Sequence, residues 1–543
     1  MLFWLGEIQM KKISLYLLVI CAVWTGLAGP SAIAGPLANN NKPGTYARSI
    51  EQILKYNSND IDIGTAAMII SEQWSDNVLG REYIFELDKM AQHILKELKE
   101  RGRSVDYKAI EVINDYLYNE LGFTTVETAD DPNDLFLHSV LDNKKGYCLS
   151  LSVLYLALAE RIGLELYGVV VPGHFFVRYD DGKVRFNIET TNRGSITNDE
   201  YYIKKFNVPK DSNLYMKSLD KRQSLGCFFN NLGNSYGEVG NIEMAIKALE
   251  KSIEINPSLA ESRTNLGNIY LSKGETDFAI DMYQSAIEVN PNDAKVYNNL
   301  ANAYMQKGGT VKAIGFYKLS QSLDPNFADA YRNLARAYIA NKNYDEALAQ
   351  LDKAEIRSPK DASIYYFLGE VYVQKRQLAD AIYNYEKALK FKSDYAEAYC
   401  GIALCHNING EVDDEIYFYK KAISVQPEMA AAIVNLGNAY FSKENFEEAI
   451  EEYKKAITLT GNDDRIYYNL GAAYYNLKLY PEAAEQYLKA LEINPQNADA
   501  HNGLGGIYYY QGKYRTAWKH LNKAKQLGYN VNLQLYEATE IRL

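Results

Sequence analysis

Asn231-Leu232-Gly233-Asn234-Ser235-Tyr236 and Asn265-Leu266-Gly267-Asn268-Ile269-Tyr270 stand 34 residues apart. The Leu-Gly pair returns as Leu300-Ala301, Leu334-Ala335, Leu368-Gly369, Ile402-Ala403, Leu436-Gly437, Leu470-Gly471 and Leu504-Gly505. From Leu232 to Leu504 the chain advances 272 residues, eight steps of 34 without an insertion. Tyrosine follows three residues after the small residue in eight of the nine copies, from Tyr236 to Tyr508. On a helix that spacing puts it on the same face, where it fills the space between helices. An alanine further on, from Ala245 to Ala517, lets a second helix approach, and prolines such as Pro257, Pro291 and Pro325 stop that helix. Ser393 and Gly461 replace two of the prolines.

A 34-residue period with Leu-Gly, Tyr, Ala and Pro at fixed offsets is the signature of the tetratricopeptide repeat. Nine repeats are expected over 226–529, with a closing helix in 530–543. Stacked helix pairs of this kind form an α-solenoid with a groove lined by the first helices. The residue before each leucine faces that groove, and it is asparagine at Asn231, Asn265, Asn299, Asn333, Asn435 and Asn469. A primary amide offers both a donor and an acceptor, as a peptide backbone requires. The array resembles tetratricopeptide proteins whose asparagine ladder grips an extended peptide, so a protein or peptide partner is expected in the groove. Asparagine is also simply common at this offset, and Phe367, Gly401 and Gly503 interrupt the ladder.

The sixth repeat departs from the pattern, with His406 for the tyrosine and Glu415 for the alanine. Cys400 and Cys405 lie nearby, but their offsets do not share one helix face. A loosened repeat explains these residues better than a metal site, and neither metal nor cofactor is expected. His93, His138, His501 and His520 look isolated in the sequence.

The 543 residues exceed what one core organises, so at least two domains are expected. A net charge of -11 argues against a nucleic-acid partner or docking on anionic lipid. Lys11-Lys12, the apolar run Ile13 to Val23 and Ala32-Ile33-Ala34 follow the layout of a secretory leader over 1–34, with Met10 a tidier start than Met1. The run is short for a bilayer-spanning helix, and Ile20 before Cys21 argues against lipidation. No later stretch could span a membrane. The expected location is therefore outside the cytoplasm, periplasmic or extracellular. Four cysteines remain after the leader, Cys148, Cys227, Cys400 and Cys405, and the fold should not depend on disulfides.

Residues 45–223 lack the 34-residue period. Helical periodicity runs through Tyr83 to Arg101 and Asp106 to Leu121. Gly146-Tyr147-Cys148-Leu149-Ser150-Leu151 then opens an apolar helix, and strand-like stretches follow. His174 starts one strand after Pro172-Gly173, and Glu189 ends the next beyond a turn at Asp180-Asp181-Gly182. A thiol at a helix N-terminus is favoured as thiolate. A neighbouring His can take its proton, and a carboxylate can orient the imidazole.

Gly-Tyr-Cys-Leu-Ser-Leu at 146–151, Pro-Gly-His-Phe at 172–175 and Asn-Ile-Glu-Thr-Thr at 187–191 resemble the transglutaminase-like superfamily. The similarity covers roughly 80–205 and is nearest the bacterial branch often fused to tetratricopeptide repeats. The resemblance implies an α+β domain and acyl transfer or amide hydrolysis by Cys, His and Asp. Cys148 and His174 match the first two roles; Glu189 stands where Asp is usual. The whole chain is thus expected to be mostly α, an α+β transglutaminase-like domain followed by the solenoid. Two functions remain open: an exported thiol enzyme whose repeats present a protein substrate, or a non-catalytic scaffold with a degenerate domain.

Overall fold

The computed structural model describes residues 47–75, 78–126, 131–208 and 215–542. The expected leader lies outside the described residues. Contacts divide the chain into two units, one ending at Pro291 and the other beginning at Asn292.

The first unit is built around a helix that is buried on nearly every side. Its helices are α1 Ile63–Trp74, α2 Gly80–Glu100, α3 Ala109–Asn114, α4 Leu137–Asn143 and α5 Cys148–Ile162. The four-stranded antiparallel sheet follows: β1 Leu166–Val171, β2 His174–Asp180, β3 Arg185–Glu189 and β4 Ser195–Thr197 in sequential order. Then come α6 Asp199–Lys205 and two helix pairs, α7 Lys221–Glu238 with α8 Ile242–Ile255 and α9 Ala260–Ser272 with α10 Thr276–Val289. All residues of α5 except Glu160 are buried. A helix apolar on every face must be enclosed, and α5 packs against α1, α2 and the strands β1 and β2. Its one buried cation, Arg161, is bonded by Asp62 and Asp88. Burial raises the Asp62 carboxyl, but Arg161 and the Thr65 hydrogen bonds outweigh that and hold it below its usual range.

The first repeat is part of this same core. The cluster of buried residues around α5 runs on through Leu225, Phe228, Phe229, Leu232 and Leu259. Trp74 of α1 meets Phe229 at a ring distance of 5.5 Å, and its carbonyl accepts from the Tyr236 hydroxyl at 3.4 Å. Phe136, just before α4, meets Phe228 at 6.4 Å. Backbone bonds from Met216 to Val170 and from Leu219 to Gly168 lay the connecting segment along β1. The buried core therefore runs on across the change of motif near 223.

The second unit contains seven further helix pairs, from Ala294–Gln306 with Thr310–Leu323 to Ala498–Tyr510 with Tyr514–Gln526, and then Leu533–Glu540. The second-helix alanines Ala313, Ala347, Ala381, Ala449, Ala483 and Ala517 have no exposed surface. The first-helix tyrosines Tyr304, Tyr338, Tyr372, Tyr440 and Tyr474 are only half-buried. The bulk of the inter-helix space is filled instead by a tyrosine on the second helix: Tyr317, Tyr385, Tyr419, Tyr453 and Tyr487. A Cβ on Gly369 or Gly401 would come within 2.5 Å of the Tyr385 ring, and one on Gly503 within 2.5 Å of Tyr487. Two interruptions of the asparagine series are thus required by packing.

Because Phe228 and Phe229 are both essentially unexposed, removing them takes about 3–5 kcal/mol each from the core, comparable with the whole stability of a domain. A fragment 45–223 should lose cooperative thermal unfolding, while 45–259 keeps it. Differential scanning calorimetry of the two checks this.

Candidate active site and repeat groove

Cys148 is the first residue of α5, and Tyr147 before it is extended, with φ -87° and ψ 169°. Amides in a first helical turn have no acceptor within the helix and lie at the positive end of its dipole. The Ser150 hydroxyl locks this start: it accepts from the Tyr147 amide at 2.9 Å and donates to the Asp134 carbonyl at 3.0 Å. Gly146 is needed because a Cβ there would meet Leu151 Cγ at 2.9 Å. The thiol residue is 5% exposed.

His174 opens β2 directly after Gly173, whose φ of 71° makes the tight turn from β1. Glu189 closes β3, which pairs with β2 from Val177↔Ile188 to Asp180↔Arg185. This register brings the two side chains together, with His174 Nε2 2.8 Å from Glu189 Oε2. Cys148 acts on the same ring from the start of α5 and helps raise the imidazole. The structure therefore joins Cys148, His174 and Glu189 in one chain of contacts.

Burial opposes a charge on His174, but Cys148 and the hydrogen-bonded Glu189 carboxylate outweigh it and lift the imidazole to about 9. Burial likewise raises Glu189, yet the bonds from His174 and Thr191 hold the carboxyl below its usual range. Burial, with Cys148 beside it, pushes the Tyr147 hydroxyl up to about 12. Burial pushes the Cys227 thiol up strongly, Cys400 to about 12 and Cys405 to about 11. All four are free thiols.

Sequence reading missed the residues that brace this set. Thr190 Oγ1 lies 2.9 Å from Ser152 Oγ and 3.4 Å from the Cys148 carbonyl, tying the end of β3 to the start of α5. The Thr190 carbonyl accepts from the Tyr118 hydroxyl at 2.8 Å. Tyr118 sits in a π-helical turn, Asp115–Glu120, that continues α3; such turns often occur at functional sites. The Phe206 ring stacks on His174 at 4.8 Å and 7°. A Thr-Thr pair directly after the acid was the available signal.

The asparagine series is less uniform than its spacing. Asn265 donates to Asn230 at 3.0 Å, and Asn333 to Asn298 at 3.0 Å, so these amides bond repeat to repeat. Asn469 donates to Asn438 at 3.1 Å. Asn231 turns back to the Cys227 carbonyl at 2.9 Å, Asn299 accepts from Asn298 at 3.4 Å, and Asn435 meets the Tyr419 hydroxyl. A second asparagine row, two residues after the leucine, had not been singled out. Asn268, Asn302 and Asn438 accept from the buried hydroxyls of Tyr283, Tyr317 and Tyr453 at 2.6–2.8 Å.

His501 and His520, isolated in sequence, meet with their Nδ1 atoms 2.9 Å apart. His406 does not join the cysteines: Cys405 is fully buried, and Cys400 Sγ lies 3.8 Å from Met429 Sδ. It bonds Glu411 at 2.6 Å, and with Asp414 forms an exposed cluster whose ligand atoms lie within 4.8 Å of one another. Only there, among the described residues, do three such groups come close enough to hold a cation. Among those residues no helix is long and apolar enough to cross a membrane.

Comparison with known proteins follows this division. The family model described as transglutaminase-like superfamily matches residues 81–223. Tetratricopeptide models match 227–259 and 479–512, and the C-terminal domain model of cilia and flagella-associated protein 70 matches 244–466. A UPF0162 protein of Xylella fastidiosa is 31% identical over 100 residues, 18% of this chain and 36% of that protein. Human F-box only protein 21 is 31% identical over 96 residues, 18% of this chain and 12% of that protein. The chain thus spans 36% of the length of the bacterial relative and 12% of that of the human one. A crystal structure of MamA is 29% identical, covers 30% of this chain and 94% of its own, and has a TM-score of 0.27. Tetratricopeptide repeats typically bind protein or peptide partners. The chain carries a domain of the transglutaminase-like superfamily followed by tetratricopeptide repeats.

Proposed function

We propose that the N-terminal domain is an exported thiol enzyme of acyl transfer or amide hydrolysis, and that the repeats hold its protein substrate. The observation that carries this is the placement of His174 between Cys148 and Glu189, with its imidazole lifted to about 9. An imidazolium beside a thiol at a helix N-terminus favours the nucleophilic thiolate. The thiolate attacks the carbonyl carbon of a carboxamide, and first-turn amides of α5 donate hydrogen bonds to the oxyanion. His174 gives its proton to the departing amine as the C–N bond breaks, which leaves a thioester on Cys148. An incoming amine or water then attacks the thioester and yields its proton to His174, and the thiolate departs. Glu189 holds the imidazole in register throughout.

One observation favours the other reading, an inert scaffold. Cys148 is 5% exposed, and Phe206 lies over the His174 ring. Incubation with a glutaminyl peptide and a mass-spectrometric search for a thioester separates the two. The expected outcome is an adduct on Cys148 that disappears in Cys148→Ala while circular dichroism stays unchanged; no adduct on wild-type protein favours the scaffold.

Support for a peptide in the groove comes from the amide-rich first helices. Replacing Asn265, Asn299 and Asn333 by Ala should weaken a pulled-down partner by about 1 kcal/mol per lost hydrogen bond. Since Asn265 and Asn333 also bond neighbouring repeats, the melting temperature should fall with it. Unchanged affinity beside a lowered melting temperature would assign these amides to the array alone.

Export rests on the Lys11-Lys12 and Ala32-Ile33-Ala34 pattern. N-terminal sequencing of protein from its native host should begin near Gly35; an intact Met1 or Met10 on cytoplasmic protein would remove this part of the reading.

A further inference from the structure

The glutamate at 189 is one methylene longer than the aspartate usual in the resemblance described above. A longer acid has an extra rotatable bond, and its carboxylate must be held from elsewhere to stay on the imidazole. The structure shows how each oxygen is held. Oε1 accepts from the Thr191 amide at 3.1 Å and the Thr191 hydroxyl at 2.5 Å. Oε2 accepts from His174 Nε2 at 2.8 Å and from the Tyr202 hydroxyl at 3.0 Å.

Tyr202 is well placed to act as a fixed donor. It has no exposed surface, and its ring stacks on Phe176 at 3.7 Å and 11°. Burial pushes its phenol far up, so the hydroxyl keeps its proton. Helix α6, which carries it, is clamped at its first residue: Asp199 Oδ1 accepts from Arg178 Nη2 at 2.8 Å and from Asn187 Nδ2 at 2.8 Å. Phe176 and Arg178 belong to β2 and Asn187 to β3, the strands that supply His174 and Glu189. One rigid frame therefore carries the imidazole, the carboxylate and the phenol.

We propose that Tyr202 is a positioning residue of the site, whose hydroxyl fixes Glu189 Oε2 so that a glutamate can hold His174 facing Cys148. The proposal rests on reading Cys148, His174 and Glu189 as the reacting set. Without the hydroxyl, the carboxylate pivots on its Thr191 anchor, its bond to Nε2 lengthens, and the imidazolium loses support. A tyrosine serving only to fill space would leave His174 unaffected when its oxygen is removed, because the Phe176 stack remains.

The test is the titration of His174 in the full chain, followed by NMR of protein selectively labelled at its six histidines. The groups facing His174 are Cys148, Glu189 and Tyr202, with Phe176 and Phe206 against the ring. The wild-type signal should titrate near 9. Glu189→Gln should lower it by about 1–2 units, since an adjacent opposite charge is worth that much. Tyr202→Phe should lower it by about half a unit, about threefold in the protonation equilibrium, with near-ultraviolet circular dichroism unchanged. A Tyr202→Phe titration that superimposes on wild type, or moves upward, overturns the positioning role. A wild-type His174 that titrates near 6.5 overturns the triad reading itself, which is a separate failure.

Discussion

The enclosure of α5 governs the first unit. Its residues are apolar on all faces, so the chain surrounds it with α1, α2 and the sheet, and the first repeat extends the same core through Phe228 and Phe229, which meet Phe136 and Trp74. Only the ends of such a helix meet polar surroundings. The C-terminal end buries Arg161 against Asp62 and Asp88. The N-terminal end presents Cys148, the place where a helix favours a negative sulfur. The same burial that stabilises the domain thus sets the position of Cys148.

A different constraint shapes the repeats. Each second-helix tyrosine is a large ring in a close helix–helix contact, and it excludes any side chain at the glycines it touches. Its hydroxyl cannot stay unbonded when buried, and in three repeats an asparagine of the first helix satisfies it. Asparagine therefore appears in this array for structural reasons as well as at the groove. The bonds between Asn265 and Asn230 and between Asn333 and Asn298 extend that role across repeat junctions.

Local pattern made much of this legible. Leu166–Val171 reads as a strand from its residues and is one, and the apolar stretch after Cys148 is the helix it resembles. The order of Cys148, His174 and Glu189 was visible because motif residues sit at element boundaries, where turns and helix starts leave a local signature. The change of period near 223 marks where one motif gives way to the next, and says nothing of how much buried surface crosses that point.

The sequence by itself determined the helix-pair period, the fold class and the identities of the three candidate reacting residues. The period depends on spacing along the chain, through the 3.6-residue turn of a helix, while the α+β domain and the three residues follow from motifs at element boundaries and the family they resemble. Only the tertiary structure decided that Tyr202 and Thr191 share the Glu189 carboxylate, that Tyr118 braces Thr190, and that several ladder amides bond one another. Those partners are distant in sequence or on neighbouring elements, and a polar side chain's bond depends on which donor or acceptor packing brings within about 3 Å of it.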